Sequence, residues 1–214
     1  MISGIICEFN PFHAGHKHLI DQVKCHPGDA VVCVMSGNFV QRGTFAVYDK
    51  RTRTEAALKG GADLVLELPT AYATRSAESF ARAGVQLLEA TGVVERLAFG
   101  TECADLQALT ALAGEIKAHQ GEIAQVMKTG CSYPAARRKV IDSPLLDTPN
   151  NILALEYMEC TQLPCICVQR LGLGHDTADP LYSASAIRAT LPAEAIYSIE
   201  HCQRAVLAVL RRME

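Results

Sequence analysis

A chain of 214 residues is long enough for one substantial hydrophobic core, and with 49% apolar and 20% charged residues it has an ordinary globular composition rather than a disordered one. A formal net charge of −3 provides no global field to draw it onto nucleic acid. No apolar run approaches the ~20 residues of a membrane span, and the opening "MISGIICEF" has neither a charged leader nor a small-residue cleavage site, so the expectation is a cytoplasmic protein with no membrane partner.

From the N-terminus, the apolar run "SGIIC" (3–7) ends in "EFNPFHAGH", whose turn residues lead into helical periodicity over 15–24. Further short apolar runs at 30–35, 63–68, 96–100 and 165–170 alternate with helical patterns at 49–59, 76–91, 104–119 and 150–160. Strands that are apolar throughout and separated by helices predict an α/β fold: a parallel sheet of about five strands with helices on both faces. Polar or glycine-rich loops follow the strands ("EFNPFHAGH", "SGNFVQRG", "PTAYATRSAE", "GTECAD", "LGLGHD"). Ligands of open α/β sheets bind beyond the carboxyl ends of the strands, so these loops should border one site. "AARRKV" (135–140) reads as a solvated helix face, and "DSPLLDTPNN" (142–151) as a connection into the next helix. Ile199, Cys202, Val206, Val209, Leu210 and Met213 recur at helical spacing. The division expected is therefore one domain over 1–191 and a helical extension over 192–214 packed on it.

Nine cysteines raise the question of metal or disulfides. No CxxC pair with a matching partner occurs, so reduced and mostly buried thiols are expected, with Cys165 and Cys167 on one face of a strand.

The first loop carries the chemistry. His13 and His16 fall at or beside a helix N-terminus, where backbone N–H groups and the helix dipole favour an anion. Gly15 lets a phosphate approach the backbone closely. Imidazoles at i and i+3 can donate to phosphoryl oxygens and stabilise charge in an in-line displacement, which points to phosphoryl or nucleotidyl transfer. The competing reading is that the two histidines cap the helix and pack; His18 and His26 are read as ordinary histidines. A second constellation, "YSASAIRATL" (182–191), sets Ser183, Ser185 and Arg188 around the start of a short helix, with hydroxyl donors and a guanidinium fork for outer phosphates.

With HxGH after the first strand and "SASAIR" near the end, the chain resembles the HIGH-motif nucleotidyltransferases. "GIICEFNPFHAGHKHLI", "VMSGNFVQRGTFAVYDKRTRTEAAL", "GADLVLELPTAYATRSAESFARAGVQLL", "LAFGTE" and "PNNILALEY" are similar, in order and spacing, to the N-terminal catalytic part of the bacterial tRNA(Met) cytidine acetate ligases. The resemblance reaches about Leu191 and implies a Rossmann-like fold of the HUP type. It also implies ATP as cosubstrate, acetate activated as acetyl-adenylate, and transfer of the acetyl group to a tRNA cytidine. His13, His16, Ser185 and Arg188 become the catalytic set. The nucleotide would be lined by Ile6, Cys7, Glu8, Phe9, Asn10, Pro11, Phe12, Gly15 and Leu19, and by Gly100, Asn150, Asn151 and Arg170. Mg²⁺ is expected on the phosphates, with no protein ligand assigned.

Gln41, Arg42 and Lys50 stay open between facing acetate or RNA and being solvated loop charges. Members of the family are longer, and with a net charge of −3 a tight tRNA footprint is not expected of this chain alone. The alternatives are an adenylyltransferase acting on a phosphorylated metabolite and a nucleotide-binding module without turnover.

Overall fold

The computed structural model describes residues 1–171 and 183–192. The helix expected over 199–213, and all but Leu171 of the loop 171–176, lie outside them. The strands are β1 (Ile2–Cys7), β2 (Ala30–Ser36), β3 (Leu64–Leu68), β4 (Arg96–Thr101) and β5 (Cys165–Gln169). They form one sheet in the order β3-β2-β1-β4-β5 with every pairing parallel. The chain steps outward from β1 to β3, then returns to the other side of β1 to lay down β4 and β5. Right-handed crossovers then put α1 (Ala14–Val23) and α2 (Lys50–Lys59) on one face and the helices after β3 on the other.

Both faces are covered, which is why the central strands read as unbroken apolar runs. Leu19, Ile20 and Val23 of α1 and Ala57 of α2 pack against Val31, Cys33 and Met35. On the opposite face Phe80, Val85 and Leu88 of α4 (Ala77–Ala90) and Tyr157 of α8 (Pro149–Cys160) pack against Val32 and Val34. The odd and even positions of β2 thus serve two cores, as strand alternation requires. Helix α4 lies close on β1 because Gly84 has no side chain: a Cβ there would be 2.9 Å from the Ile6 side chain.

The helices expected from periodicity within the described residues are present within two residues of their expected ends, including α5 (Leu106–Ala118). Between α5 and α8 lie α6 (Gln120–Met127), α7 (Tyr133–Val140) and a 3-10 turn at Pro144–Asp147, and a short α3 (Thr70–Ala73) precedes α4. Leu109, Leu112, Ile116, Ile123, Ala136, Ile141, Leu146 and Leu155 give these elements a core of their own.

Residues 135–140 are not wholly a solvated face, because Arg137 is 1% exposed and donates to Oε1 of buried Glu156 at 3.0 Å. Its guanidinium also lies 5.3 Å from the centre of the Tyr133 ring. A run of basic residues shows its charge but not a carboxylate on another helix, and that carboxylate turns Arg137 inward.

The eight described cysteines are free thiols, but only Cys33 is fully buried; Cys25 is exposed and the rest are half-buried, so "mostly buried" overstated their enclosure. Cys165 and Cys167 do share a face, against the α4–α8 core. Among the described residues no helix is long and apolar enough to cross a membrane.

Candidate active site

β1 pairs with β2 along its whole length, from Ile2↔Ala30 to Cys7↔Met35. Its register with β4 covers only Ser3↔Arg96 and Gly4↔Leu97. Past Gly4 the β1–β4 ladder ends, and a crevice opens at the carboxyl ends of the two strands, where the chain order reverses. The result is a cleft of about 470 Å³. Ile5, Ile6 and Cys7 of β1 and Phe99 and Gly100 of β4 line its floor. The start of α1 walls one side and α4 with α8 the other, and Arg170 and Arg188 also line it.

The turn into α1 is held by aromatic packing. Phe9 has φ +44°, a left-handed conformation that a non-glycine residue rarely adopts. Its ring is fixed edge-on by Phe12 at 5.0 Å and lies 4.8 Å from the His16 imidazole. His13 is the N-cap: its Nδ1 accepts from the Gly15 N–H at 3.1 Å, and the His16 Nδ1 accepts from the His13 N–H at 3.3 Å. The two rings stack with centres 3.7 Å apart.

An Nδ1 that accepts from a backbone N–H carries no proton, so each neutral ring has its hydrogen on Nε2. Burial lowers the His13 pKa to about 4, with the Arg170 charge adding to it. Burial, then His13 and Arg170, holds His16 well below the usual histidine range. At neutral pH the pair therefore offers two uncharged Nε2–H donors. The capping reading of HxGH holds, both histidines line the cleft, and the Gly15 N–H is taken by His13 and is not free for an anion.

The second motif meets the first. Helix α9 (Ala184–Thr190) is N-capped by Ser183, whose Oγ accepts from the Ala186 N–H at 3.3 Å. Arg188 donates through Nη1 to the Asn10 carbonyl at 2.6 Å and through Nη2 to Ser185 Oγ at 3.0 Å. Arg188 lines the cleft, whereas Ser185 does not and steadies Arg188 from behind.

On the β4–β5 side, Arg170 donates to Asn150 Oδ1 at 3.3 Å, and Asn150 Nδ2 donates to Glu102 Oε1 at 2.5 Å. A Cβ on Gly100 would lie 3.4 Å from Arg170 Cγ.

Of the residues the sequence proposes, Ile6, Cys7, Glu8, Phe9, Asn10, His13, Gly15, His16, Leu19, Gly100, Asn150, Arg170 and Arg188 line the cleft. Pro11, Phe12, Asn151 and Ser185 do not. Phe12 packs over Gly60, where a Cβ would collide with its Cζ. Asn151 is 2% exposed; its Oδ1 accepts from the N–H groups of Glu102 and Cys103, and its own N–H donates to Glu102 Oε2. It braces the loop after β4.

Residues outside the two motifs also join the site. Gln41 and Arg42 line the cleft, as does His18, read from sequence as ordinary, while Lys50 pairs with Glu67 at 2.6 Å away from it. Arg53, 1% exposed, donates to the carbonyls of Tyr48 (3.0 Å) and Ser36 (3.1 Å) and to those of Glu8 and Gly37. Glu8 Oε1 accepts from the Gln41 N–H and Asn10 Oδ1 from the Val47 N–H, each at 2.7 Å. These bonds tie the loops after β1 and β2 into one rim.

Comparison with known proteins agrees with this geometry. A family model described as HIGH Nucleotidyl Transferase matches residues 1–211. A tRNA(Met) cytidine acetate ligase of Clostridium perfringens is 39% identical over an alignment covering 89% of this chain and 54% of that protein. A protein of the same name from Syntrophomonas wolfei is 42% identical, covering 89% of this chain and 51% of its own. The crystal structure of Thermotoga maritima TmcAL bound with alpha-thio ATP is similar with a TM-score of 0.75 at 34% identity, covering 88% of this chain and 49% of that one. The chain thus spans about half the length of these relatives. With its five-stranded parallel Rossmann-like sheet, its paired motifs on one cleft and a family match over nearly its whole length, the chain belongs to the HIGH nucleotidyl transferase family.

Proposed function

We propose that this chain binds ATP between β1 and β4 and uses it to activate acetate as acetyl-adenylate, for transfer of the acetyl group to a cytidine of tRNA(Met). The observation that carries the reading is the meeting of the two motifs: Arg188 reaches the Asn10 carbonyl, at 2.6 Å, beside His13 and His16. The relatives' name supplies the acid and the acceptor, and the alpha-thio ATP of the Thermotoga maritima protein supports the nucleotide.

In the first step a carboxylate oxygen of acetate attacks the α-phosphorus, the bond to the β-phosphate bridging oxygen breaks, and pyrophosphate leaves with that electron pair. Charge grows on phosphoryl oxygens, and the site meets it with preorganised donors: two Nε2–H groups and the guanidinium groups of Arg188 and Arg170. The imidazoles need not change protonation, which suits rings whose pKa values lie low. In the second step the cytidine amine attacks the acetyl carbonyl carbon, AMP leaves, and the amine's proton passes to solvent.

Glu8 is the one carboxylate lining the cleft among the described residues, and these residues hold no cluster of three metal-ligating side chains. That fits Mg²⁺ held by one carboxylate, the substrate phosphates and water. When bound, the ion would offset charge on the departing pyrophosphate.

Incubation with ATP, isotopically labelled acetate and tRNA(Met) is expected to yield AMP and pyrophosphate, with label on a cytidine. Formation of ADP, or no acid-dependent product, contradicts the reading.

A further inference from the structure

Helix α8 begins without a cap of its own. Thr148 stands at the N-cap position but makes no side-chain bond to the helix, and its Oγ1 is buried without a partner among the described residues. The acceptor comes instead from the loop after β4. Glu102 takes the Asn151 N–H on Oε2 at 3.1 Å and the Asn150 Nδ2 on Oε1 at 2.5 Å. The clamp is reciprocal, since Asn151 Oδ1 accepts from the N–H groups of Glu102 and Cys103, each at 3.1 Å. The helix dipole favours a carboxylate at this end, so holding α8 in place accounts for the bonds with Asn151. It does not account for the bond to the Asn150 side chain, which lines the cleft and carries Arg170 on its other end.

We infer that Glu102, which does not itself line the cleft, is a positioning residue for nucleotide binding: it fixes the Asn150 amide, and the amide aims the Arg170 guanidinium. The inference rests on the nucleotide reading proposed above and adds what directs one of its charged donors. Asn150 lies between a group that only accepts, the Glu102 carboxylate, and one that only donates, the Arg170 guanidinium. One orientation satisfies both: Nδ2 toward Glu102 and Oδ1 toward Arg170, whose Nη1 is 3.3 Å away. Turned over, the amide would set its oxygen against the carboxylate and its N–H groups against the guanidinium. The Arg170 main chain is held separately, by its N–H on the Thr101 carbonyl at 3.0 Å, and its Cγ lies against Gly100. The guanidinium is therefore the part left for Asn150 to direct. Its placement reaches the histidine pair too, because the Arg170 charge helps to lower the pKa values of His13 and His16.

Glu102→Gln keeps the size of the side chain but turns one of its two acceptors into a donor, so it cannot accept from Asn150 and Asn151 together. ATP affinity by calorimetry is expected to fall about tenfold, the effect of losing one hydrogen bond to a charged group. In the Arg170→Met background the same substitution should change affinity by less than about twofold, because the guanidinium it acts on is gone. A clamp that merely holds α8 would weaken binding alike in both backgrounds. That result, or unchanged affinity in Glu102→Gln, overturns the positioning role while leaving the nucleotide reading standing. Asn150→Leu cuts the link to Arg170 but spares the bonds between Glu102 and Asn151, so it carries the same comparison if the first variant fails to fold; a loss of equal size with and without Arg170 again overturns the role. A wild-type chain that binds no ATP overturns the nucleotide reading and this role with it.

Discussion

Each imidazole of the His13–His16 pair uses its two nitrogens differently: Nδ1 closes the helix start, and this leaves the hydrogen on Nε2 for the cleft. The cost appears on acidification. The His13 pKa is lowered to about 4, so between the ordinary value of about 6.5 and 4 the unfolded chain binds a proton that the folded chain does not. Stability is therefore fully present above pH 6.5 and falls as pH drops toward 4, by about 2 kcal/mol at pH 5 for His13 alone. His13→Asn keeps a capping side chain but cannot titrate, so its loss of stability between pH 7 and pH 5 in urea melts should be smaller by about that amount. Equal losses in the two proteins would contradict the assignment. Arg188→Lys retains charge but cannot hold Asn10 and Ser185 with one fork; ATP affinity by calorimetry should weaken about tenfold, and unchanged affinity would remove Arg188 from the site. At this scale HxGH and SASAIR were legible because histidine at a helix start and arginine one turn after a serine cap have few uses together. The tautomers were not legible, since they depend on which nitrogen the Gly15 N–H points to. Nor was the bracing role of Asn151, whose partners lie in the loop after β4.

Among the elements, the strands and the long helices follow from alternation of apolar runs with helical periodicity, because a parallel sheet covered on both faces leaves no other pattern. What the pattern cannot carry is the contact between elements that fixes a loop or turns a charge inward. Arg53 lies in the helical pattern over 49–59, where nothing sets it apart from its charged neighbours, yet it is buried and bolts the ends of β1 and β2 to Tyr48 through four carbonyls. Arg53→Met should cost about 3–5 kcal/mol in chemical denaturation, because several buried acceptors lose their donor together; a cost under about 1 kcal/mol would mean that the rim holds without it. Arg137 and Glu156 allow a sharper test at the α7–α8 contact. Arg137→Met leaves a buried carboxylate unpaired and should cost about 3–5 kcal/mol, whereas adding Glu156→Leu should restore most of it. If the double variant is no more stable than the single one, the pair is not what joins these helices.

Over the whole molecule, one departure from a regular sheet makes the site: the β1–β4 ladder ends after Gly4↔Leu97, and every group argued to meet ATP opens on the gap. That the site lies beyond the carboxyl ends of the strands was legible, but the strand order that puts the switch point between β1 and β4 was not. Nor was the depth of the gap, because register is set by how α4 and α8 pack on the strands, as at Gly84 against Ile6. Isotope exchange between pyrophosphate and ATP, with and without acetate, compared between the wild-type chain and His16→Ala, bears directly on whether this gap is where the acid is adenylated. Exchange that requires acetate and falls at least about a hundredfold in His16→Ala is the predicted result. Exchange that proceeds equally without acetate, or that survives the substitution intact, would contradict it.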